Sequence, residues 1–330
     1  MVPSHNCNDS APGALPRVTS CSSQATQMLW QRRSAAAKST GIAATLFLLL
    51  ILLAGGCQQA QVKPDTSVTI TVAGATSMRP VLVALGAEFS RQFPPVILNI
   101  TGGDSTIGED RVRGGQVDLA ASTLISPSIP SDVTAARTEQ PLVRIPIGLD
   151  GLAIIVHKTN PIDNLTLAQL QELYSGRTWN WQELTNVDEE VQLVTREDGS
   201  GSRALFDERI MGEVPVALTA VVMPTSDDVV KYVAEYTGTI GYVSRAFVTD
   251  LLAENGTTAD PSDPLAQIRL VRVENQLPTL ETLQNQSYFL IQPLYLVSNG
   301  QPRDTVKRFI DYTLSPAGQA TVRRFHQPIR

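Results

Sequence analysis

The chain of 330 residues is long enough for two ordinary domains, and its 42% hydrophobic and 5% aromatic content fits a globular protein with one apolar segment added. Twenty-six basic residues against 32 acidic ones give a net charge of −6, which argues against a nucleic-acid partner, because basic patches supply most of that affinity. Cysteine stands only at positions 7, 21 and 57, and beyond Cys57 the histidines are His157 and His326, so the rest of the chain offers no disulfide, no cysteine metal site and no histidines at ligand spacing.

Gln31-Arg32-Arg33 and Lys38 precede Gly41 to Leu53, an uncharged apolar run that ends in Leu53-Ala54-Gly55-Gly56-Cys57. Small residues directly before a lone cysteine look like a bacterial lipoprotein signal, with cleavage before Cys57 and lipid on its sulfur. Ala54 stands where leucine is commoner. The other reading is a transmembrane anchor, for which the run is short of the ~20 residues a span needs. The first 27 residues are irregular for a signal's leading region, so translation is expected to start at Met28. Setting residues 1–56 aside removes four of the 26 basic residues and one of the 32 acidic ones, which leaves a net charge of −9.

After a polar tether at 57–66, Val68–Ala73 alternates in β-branched residues and reads as a strand. Gly74-Ala75-Thr76-Ser77-Met78-Arg79-Pro80 stops it, and Val81, Leu82, Leu85 and Phe89 then recur at helical spacing. Val96–Ile100 is a second strand, followed by Thr101-Gly102-Gly103-Asp104-Ser105 and a helix through Val112. Val117–Ser122 is a third, running into Thr123. Repeated strand, small polar loop and helix predicts an α/β fold with a mainly parallel sheet, whose ligands sit beyond the carboxyl ends of the strands. Asp150–His157 reads as a long apolar strand after Arg144–Gly148, Thr166 as a helix cap, and Ser226-Asp227-Asp228 as another. Trp179 and Trp181 fit a packing role better than stacking on a ligand. Thr239–Val243 is a strand, Leu251–Ala266 a surface loop, Tyr288–Val297 a strand interrupted at Pro293, and Arg303–Leu314 an amphipathic helix followed by one that starts at Ser315-Pro316.

Between the strand Val191–Val194 and a helix from Ala204 stands Thr195-Arg196-Glu197-Asp198-Gly199-Ser200-Gly201-Ser202-Arg203. Ser200, Gly201 and Ser202 at a helix start bring backbone and hydroxyl donors to bear on an anion, and Arg196 or Arg203 adds a charged fork. A plain Gly/Ser turn capping a helix is the equally open local reading. A hydrolase is disfavoured: neither Ser200 nor Ser202 sits in Gly-x-Ser-x-Gly, there is no nucleotide-binding Gly-x-x-x-x-Gly-Lys-Ser/Thr, and a Ser-His-Asp triad has only His157 or His326 to draw on.

In order and spacing, these stretches resemble one family, the PstS-like substrate-binding proteins of phosphate ABC transporters, over essentially residues 68–330. The resemblance rests on Gly74-Ala75-Thr76-Ser77-Met78, Gly102-Gly103-Asp104-Ser105, Val117-Asp118-Leu119-Ala120, Asp150-Gly151-Leu152-Ala153, Tyr174-Ser175-Gly176 with Asn180-Trp181, Arg196-Glu197 with Gly199-Ser200-Gly201-Ser202, Ile240-Gly241-Tyr242-Val243, Pro293-Leu294-Tyr295 and Leu314-Ser315-Pro316.

The resemblance implies a two-lobe periplasmic-binding-protein-like α/β fold with a ligand cleft between lobes joined by crossing strands. The parts would be a signal segment at 1–56, a tether at 57–66, lobe one at 67–148 and 288–330, and lobe two at 149–287. Phosphate or a related oxyanion would be held by Ala75, Thr76 and Ser77, by Asp104 and Ser105, by Thr123, and by Arg196, Ser200, Gly201 and Ser202. Ser202 replaces the usual threonine and keeps the hydroxyl. Two departures make the site less positive: Leu124 stands where an arginine is expected, and Asp104 replaces a glycine. Asp104 either takes the hydrogen of monohydrogen phosphate or faces solvent as a turn residue. The implied function is capture by lobe closure and delivery to ABC permease subunits, without catalysis, cofactor or metal. The protein would be an extracytoplasmic monomer held to the membrane by lipid on Cys57. A receptor for another oxyanion, or a sensing module on the same fold without transport, is the alternative.

Overall fold

A computed structural model describes residues 67–125, 141–253 and 260–329; the expected signal segment, Cys57 and the tether lie outside them. The first strand, β1 (Val68–Gly74), leads through a 3-10 turn at Thr76–Met78 into α1 (Arg79–Gln92). Next come β2 (Val96–Thr101), α2 (Ser105–Arg113) and β3 (Leu119–Ser122). β2, β1 and β3 pair in parallel, as the strand–loop–helix order requires.

β4 (Leu142–His157) is one strand of 16 residues, longer than the Asp150–His157 strand expected and including Arg144–Gly148. β5 (Asn164–Leu165) and α3 (Leu167–Tyr174) follow, with Thr166 and Gln169 forming a reciprocal capping box. β6 (Gln192–Arg196) feeds α4 (Gly201–Phe206), which passes into a π-helical turn at Asp207–Met211 in place of a continuous helix. β7 (Val221–Met223), α5 (Ser226–Glu235), β8 (Thr239–Ser244) and α6 (Thr249–Leu252) come next. Thr225, not Ser226, caps α5, accepting from the Asp228 N–H. The stretch expected to be a surface loop therefore begins as a helix, and it ends in a 3-10 turn at Pro264–Gln267. β9 (Ile268–Val273), α7 (Leu280–Gln284), β10 (Ile291–Asn299), α8 (Asp304–Leu314), α9 (Pro316–Arg323) and β11 (Gln327–Pro328) complete the chain. Pro293 does not break β10. The strand runs through it, and the register with β4 slips one step later, between Leu294 and Tyr295.

The sheet order is β2-β1-β3-β10-β4-β8-β6-β7. β4 and β10 are the crossing strands. From Leu142 to Gly151, β4 lies antiparallel to β10; from Leu152 it pairs with β8, and from Ile154 also with β9. One apolar core lies on the β1 side, where Leu82, Leu85 and Phe89 of α1 meet Ile70, Val72, Leu294, Phe309 and Val322. Two others cover the faces of the β8–β6 side. One is built on Tyr174, Trp181, Phe206 and Tyr242, the other on Ile155, Val194, Val229 and Val233. Trp181 is fully buried and donates its indole N–H to the Gly238 carbonyl, which bears out a packing role; Trp179 is exposed. Separate cores on either side of two shared strands make two lobes, and the loops after β1, β2, β3 and β6 face the seam between them.

Candidate functional site

Three strand-to-helix turns build the site. After β1, Gly74 takes φ +127° and lies so close to Ala121 that a Cβ would stand 2.2 Å from its carbonyl oxygen. Only glycine fits there, and the close turn delivers Ala75, Thr76 and Ser77 to the start of the first helix. After β2, Asp104 caps α2, its Oδ1 accepting from the Ile107 N–H at 2.6 Å. After β6, Ser200 caps α4, its Oγ accepting from the Arg203 N–H at 3.4 Å. Each turn presents helix-start N–H groups and their partial positive charge.

All ten residues expected at the site are buried, and contacts across the seam bring six of them together. Thr76 Oγ1 accepts from Arg196 Nη2 at 3.3 Å and from the Ser226 N–H at 3.4 Å. The Asp104 carboxylate packs on Gly199, where a Cβ would lie 2.3 Å from it. A Cβ on Gly201 would lie 2.1 Å from Thr123 Oγ1 and 3.0 Å from Ser105 Oγ. Ala75, Ser77, Ser200 and Ser202 flank these contacts along the chain. Asp104 is therefore a buried cap on the seam, not a solvent-facing turn residue.

Four of the six expected hydroxyls accept from the protein. Thr76 accepts as just described, Ser105 Oγ accepts from the Thr123 N–H at 3.1 Å, Ser200 Oγ from Arg203, and Ser202 Oγ from Gln292 Nε2 at 3.4 Å. A hydroxyl that accepts from the protein keeps its own hydrogen to donate. With the helix-start N–H groups, these hydroxyls make a seam rich in donors.

The arginines are more committed than their spacing suggests. Arg196 Nε and Nη2 donate to the two carboxylate oxygens of Glu197 at 2.8 and 2.7 Å, and Nη1 donates to Ser226 Oγ at 3.1 Å. Further bonds reach the carbonyls of Met223 and Pro224. Arg196 is thus buried at the seam as half of an ion pair with the half-buried Glu197, not as a bare charge. Arg203 turns to the Asp207 carboxylate, Thr195 Oγ1 and the Arg196 carbonyl. Although Leu124 replaces an expected arginine, Arg144 of β4 reaches that place. It donates to the Leu124 carbonyl at 2.6 Å and to Ser122 Oγ at 3.2 Å, and pairs with buried Glu109 at 3.1 Å.

Tyr242 holds the end of β6 from below. Its hydroxyl bonds Thr195 Oγ1 at 2.7 Å and accepts the Arg196 N–H at 3.3 Å, and its ring stacks on Phe206. Burial pushes its phenol up to about 12, so it stays neutral. His326 pairs with Asp150 at 3.1 Å and its Nε2 meets no partner, while His157 Nδ1 bonds Thr159 Oγ1 at 2.8 Å, so among the described residues no hydrogen bond joins a serine to a histidine. Among them no group of three His, Cys, Asp or Glu side chains is placed to hold a metal. Ser226, Asp150 and Gln292 were not singled out in the sequence as site residues; a serine at a helix start was the one signal that pointed to any of them.

A profile of the PBP superfamily domain matches residues 59–317. The chain belongs to the PBP superfamily. The phosphate-binding protein PstS of Bacillus subtilis is 23% identical over 258 residues, 77% of this chain and 78% of that protein. PstS of Pseudomonas aeruginosa PAO1 is 25% identical over 271 residues, 76% of this chain and 79% of its own length. A Clostridium perfringens structure with bound phosphate, described as that of a phosphate ABC transporter substrate-binding protein, superposes with a TM-score of 0.68 at 26% identity. It covers 80% of this chain and 100% of that one. An ABC-type phosphate transport receptor from Vibrio cholerae shares the fold at a TM-score of 0.58 and 24% identity, over 79% of this chain and 100% of that one. The similarity is thus to binding receptors, in line with the expected non-enzymatic role.

Proposed function

We propose that the chain is an extracytoplasmic solute receptor that captures inorganic phosphate between its lobes and delivers it to an ABC permease. The observation that carries this is the meeting of three donor-bearing helix starts and Arg196 on one buried seam between the lobes. An oxyanion has many acceptor positions and suits such a site, and an anion that touches both lobes favours their closed arrangement by its differential affinity. The relatives named as phosphate-binding proteins supply the choice of phosphate. Residues 67–148 and 288–330 form lobe one and 149–287 lobe two, a division supported by β4 changing partners at Leu152.

A thermal-shift screen against phosphate, sulfate, arsenate, molybdate and tungstate tests the ligand, because a molecule that binds only the folded state raises its apparent stability. Phosphate is expected to give the largest shift. A larger shift with another anion reassigns the ligand, and no shift with any of them favours a sensing module without transport. Ser200→Ala, which removes one donor, is expected to weaken phosphate binding by more than ~1.5 kcal/mol, the low end for a hydrogen bond to a charged group. Unchanged affinity by calorimetry would remove Ser200 from the site.

Lipid on Cys57 would hold the receptor at the membrane surface as a monomer. Among the described residues no helix is long and apolar enough to cross a membrane. Cys57→Ser is expected to move the protein from the membrane fraction to the soluble one and to abolish labelling by a palmitate analogue. Persistent labelling would place the lipid elsewhere.

A further inference from the structure

Behind the donors of the seam stands a buried side chain that the anion reading does not yet use. Gln292 lies on β10 opposite Asp150 on β4, where the crossing strands pass between the lobes. Both are fully buried. Gln292 Nε2 donates to Asp150 Oδ2 at 2.8 Å and to Ser202 Oγ at 3.4 Å, while Oε1 has no hydrogen-bond partner. Asp150 is held in turn by His326 Nδ1 at 3.1 Å.

The order of these contacts fixes the direction of each hydrogen. Turning the Gln292 amide over would set its Oε1 against the Asp150 carboxylate, acceptor against acceptor. The nitrogen therefore faces Asp150, and its second hydrogen goes to Ser202. Ser202 Oγ must accept there, so its hydrogen is left for another partner. The buried Oε1 left without a hydrogen-bond partner is a cost that this orientation carries.

We propose that Gln292 is a positioning residue for anion capture: oriented by Asp150, it fixes the Ser202 hydroxyl as a donor to the ligand. The proposal rests on the reading of Ser202 as a contact to an oxyanion. Gln292 itself need not touch the anion. It removes the rotamer freedom by which a serine hydroxyl in a crowded polar site would otherwise point its hydrogen at a protein acceptor.

The test is a thermodynamic cycle by calorimetry with inorganic phosphate on the wild type, Gln292→Met, Ser202→Ala and the double variant, with apo melting temperatures measured alongside. Methionine keeps the length of glutamine and lacks its donor. Each single variant is expected to weaken phosphate binding about tenfold, and the double variant to bind no more weakly than Ser202→Ala alone. Losses that add in the double variant overturn the proposal, because Gln292 would then act without Ser202. Unchanged affinity in Gln292→Met overturns it as well. Should that variant fail to fold, Asp150→Asn serves in the same cycle. It lets the Gln292 amide turn and offer Oε1 to the Ser202 hydrogen, and the same non-additivity is expected; additive losses again overturn the proposal. A wild-type protein that gives no heat with phosphate, sulfate, arsenate, molybdate or tungstate fails differently: it overturns the anion reading itself and the proposal with it.

Discussion

Gly201→Ala is expected to weaken phosphate binding at least ~100-fold, about 2.7 kcal/mol, while leaving the ligand-free protein as stable as the wild type or slightly more so. The added Cβ would stand 2.1 Å from Thr123 Oγ1 and 3.0 Å from Ser105 Oγ, both on the opposite lobe. Under the proposed capture by lobe closure, the clash falls on the closed arrangement alone. Gly201 opens α4 without a positive φ, and alanine is a better helix former than glycine by up to about 1 kcal/mol. Binding and folding should therefore move in opposite directions. Gly74→Ala is the contrasting control. Its Cβ would strike the Ala121 carbonyl within lobe one, at φ +127°, so that variant should melt lower with or without ligand. Calorimetry and thermal melts on both variants check this, and a Gly201→Ala protein that binds phosphate normally would separate ligand capture from contact at this seam.

Arg196→Ala is expected to lower both affinity and stability. The residue is 2% exposed, and its side chain donates to Glu197, Ser226, Thr76 and two backbone carbonyls. Truncation leaves those acceptors without their partner, at about 1–3 kcal/mol for each buried group that no water can reach. Glu197 is partly solvated and will recover some of its loss. For binding, the variant removes the cation of the seam and leaves the Glu197 carboxylate beside it. That reversal of local charge is expected to weaken phosphate by more than ~1.5 kcal/mol, on the order of tenfold or greater. Arg196→Lys keeps the charge but not the planar fork, and should fall between wild type and alanine. Glu197→Gln sharpens the test: relieved of its carboxylate, Arg196 should hold the anion more tightly, and weaker binding would show that the pair serves to place Arg196 and not to balance it.

Much of this was legible in the sequence because it is written in local chemistry. Alternating β-branched residues at 68–73, small polar loops at Gly74–Ser77 and Gly102–Ser105, and helical spacing from Val81 to Phe89 specify strand, turn and helix without reference to the rest of the chain. Ser200 at a helix start announced a cap, and it is one. Where a residue's neighbours in space are far in sequence, local pattern failed. The apolar run Asp150–His157 shows only the second part of β4, and the part from Leu142 is held as strand by its pairing with β10. The three residues of β7 are too few to show a period, although the alternation of β9 was there to be read.

The candidate site divides in the same way. Residue types at helix starts determined that donors would gather at the carboxyl ends of strands, because capping and turn chemistry act over three or four residues. Sequence could not say what those donors already hold. Arg196 is paired with its own neighbour Glu197, and Asp104 is buried because Gly199 of the other lobe closes over it. An arginine comes to the end of β3 from β4, twenty residues beyond the position where the pattern led one to expect it. Gln292 carries no local signal at all in its apolar strand. Its placement comes from the β10–β4 register and from the lobe packing that brings Ser202 within reach, and long-range pairing of that kind is decided by the tertiary structure alone.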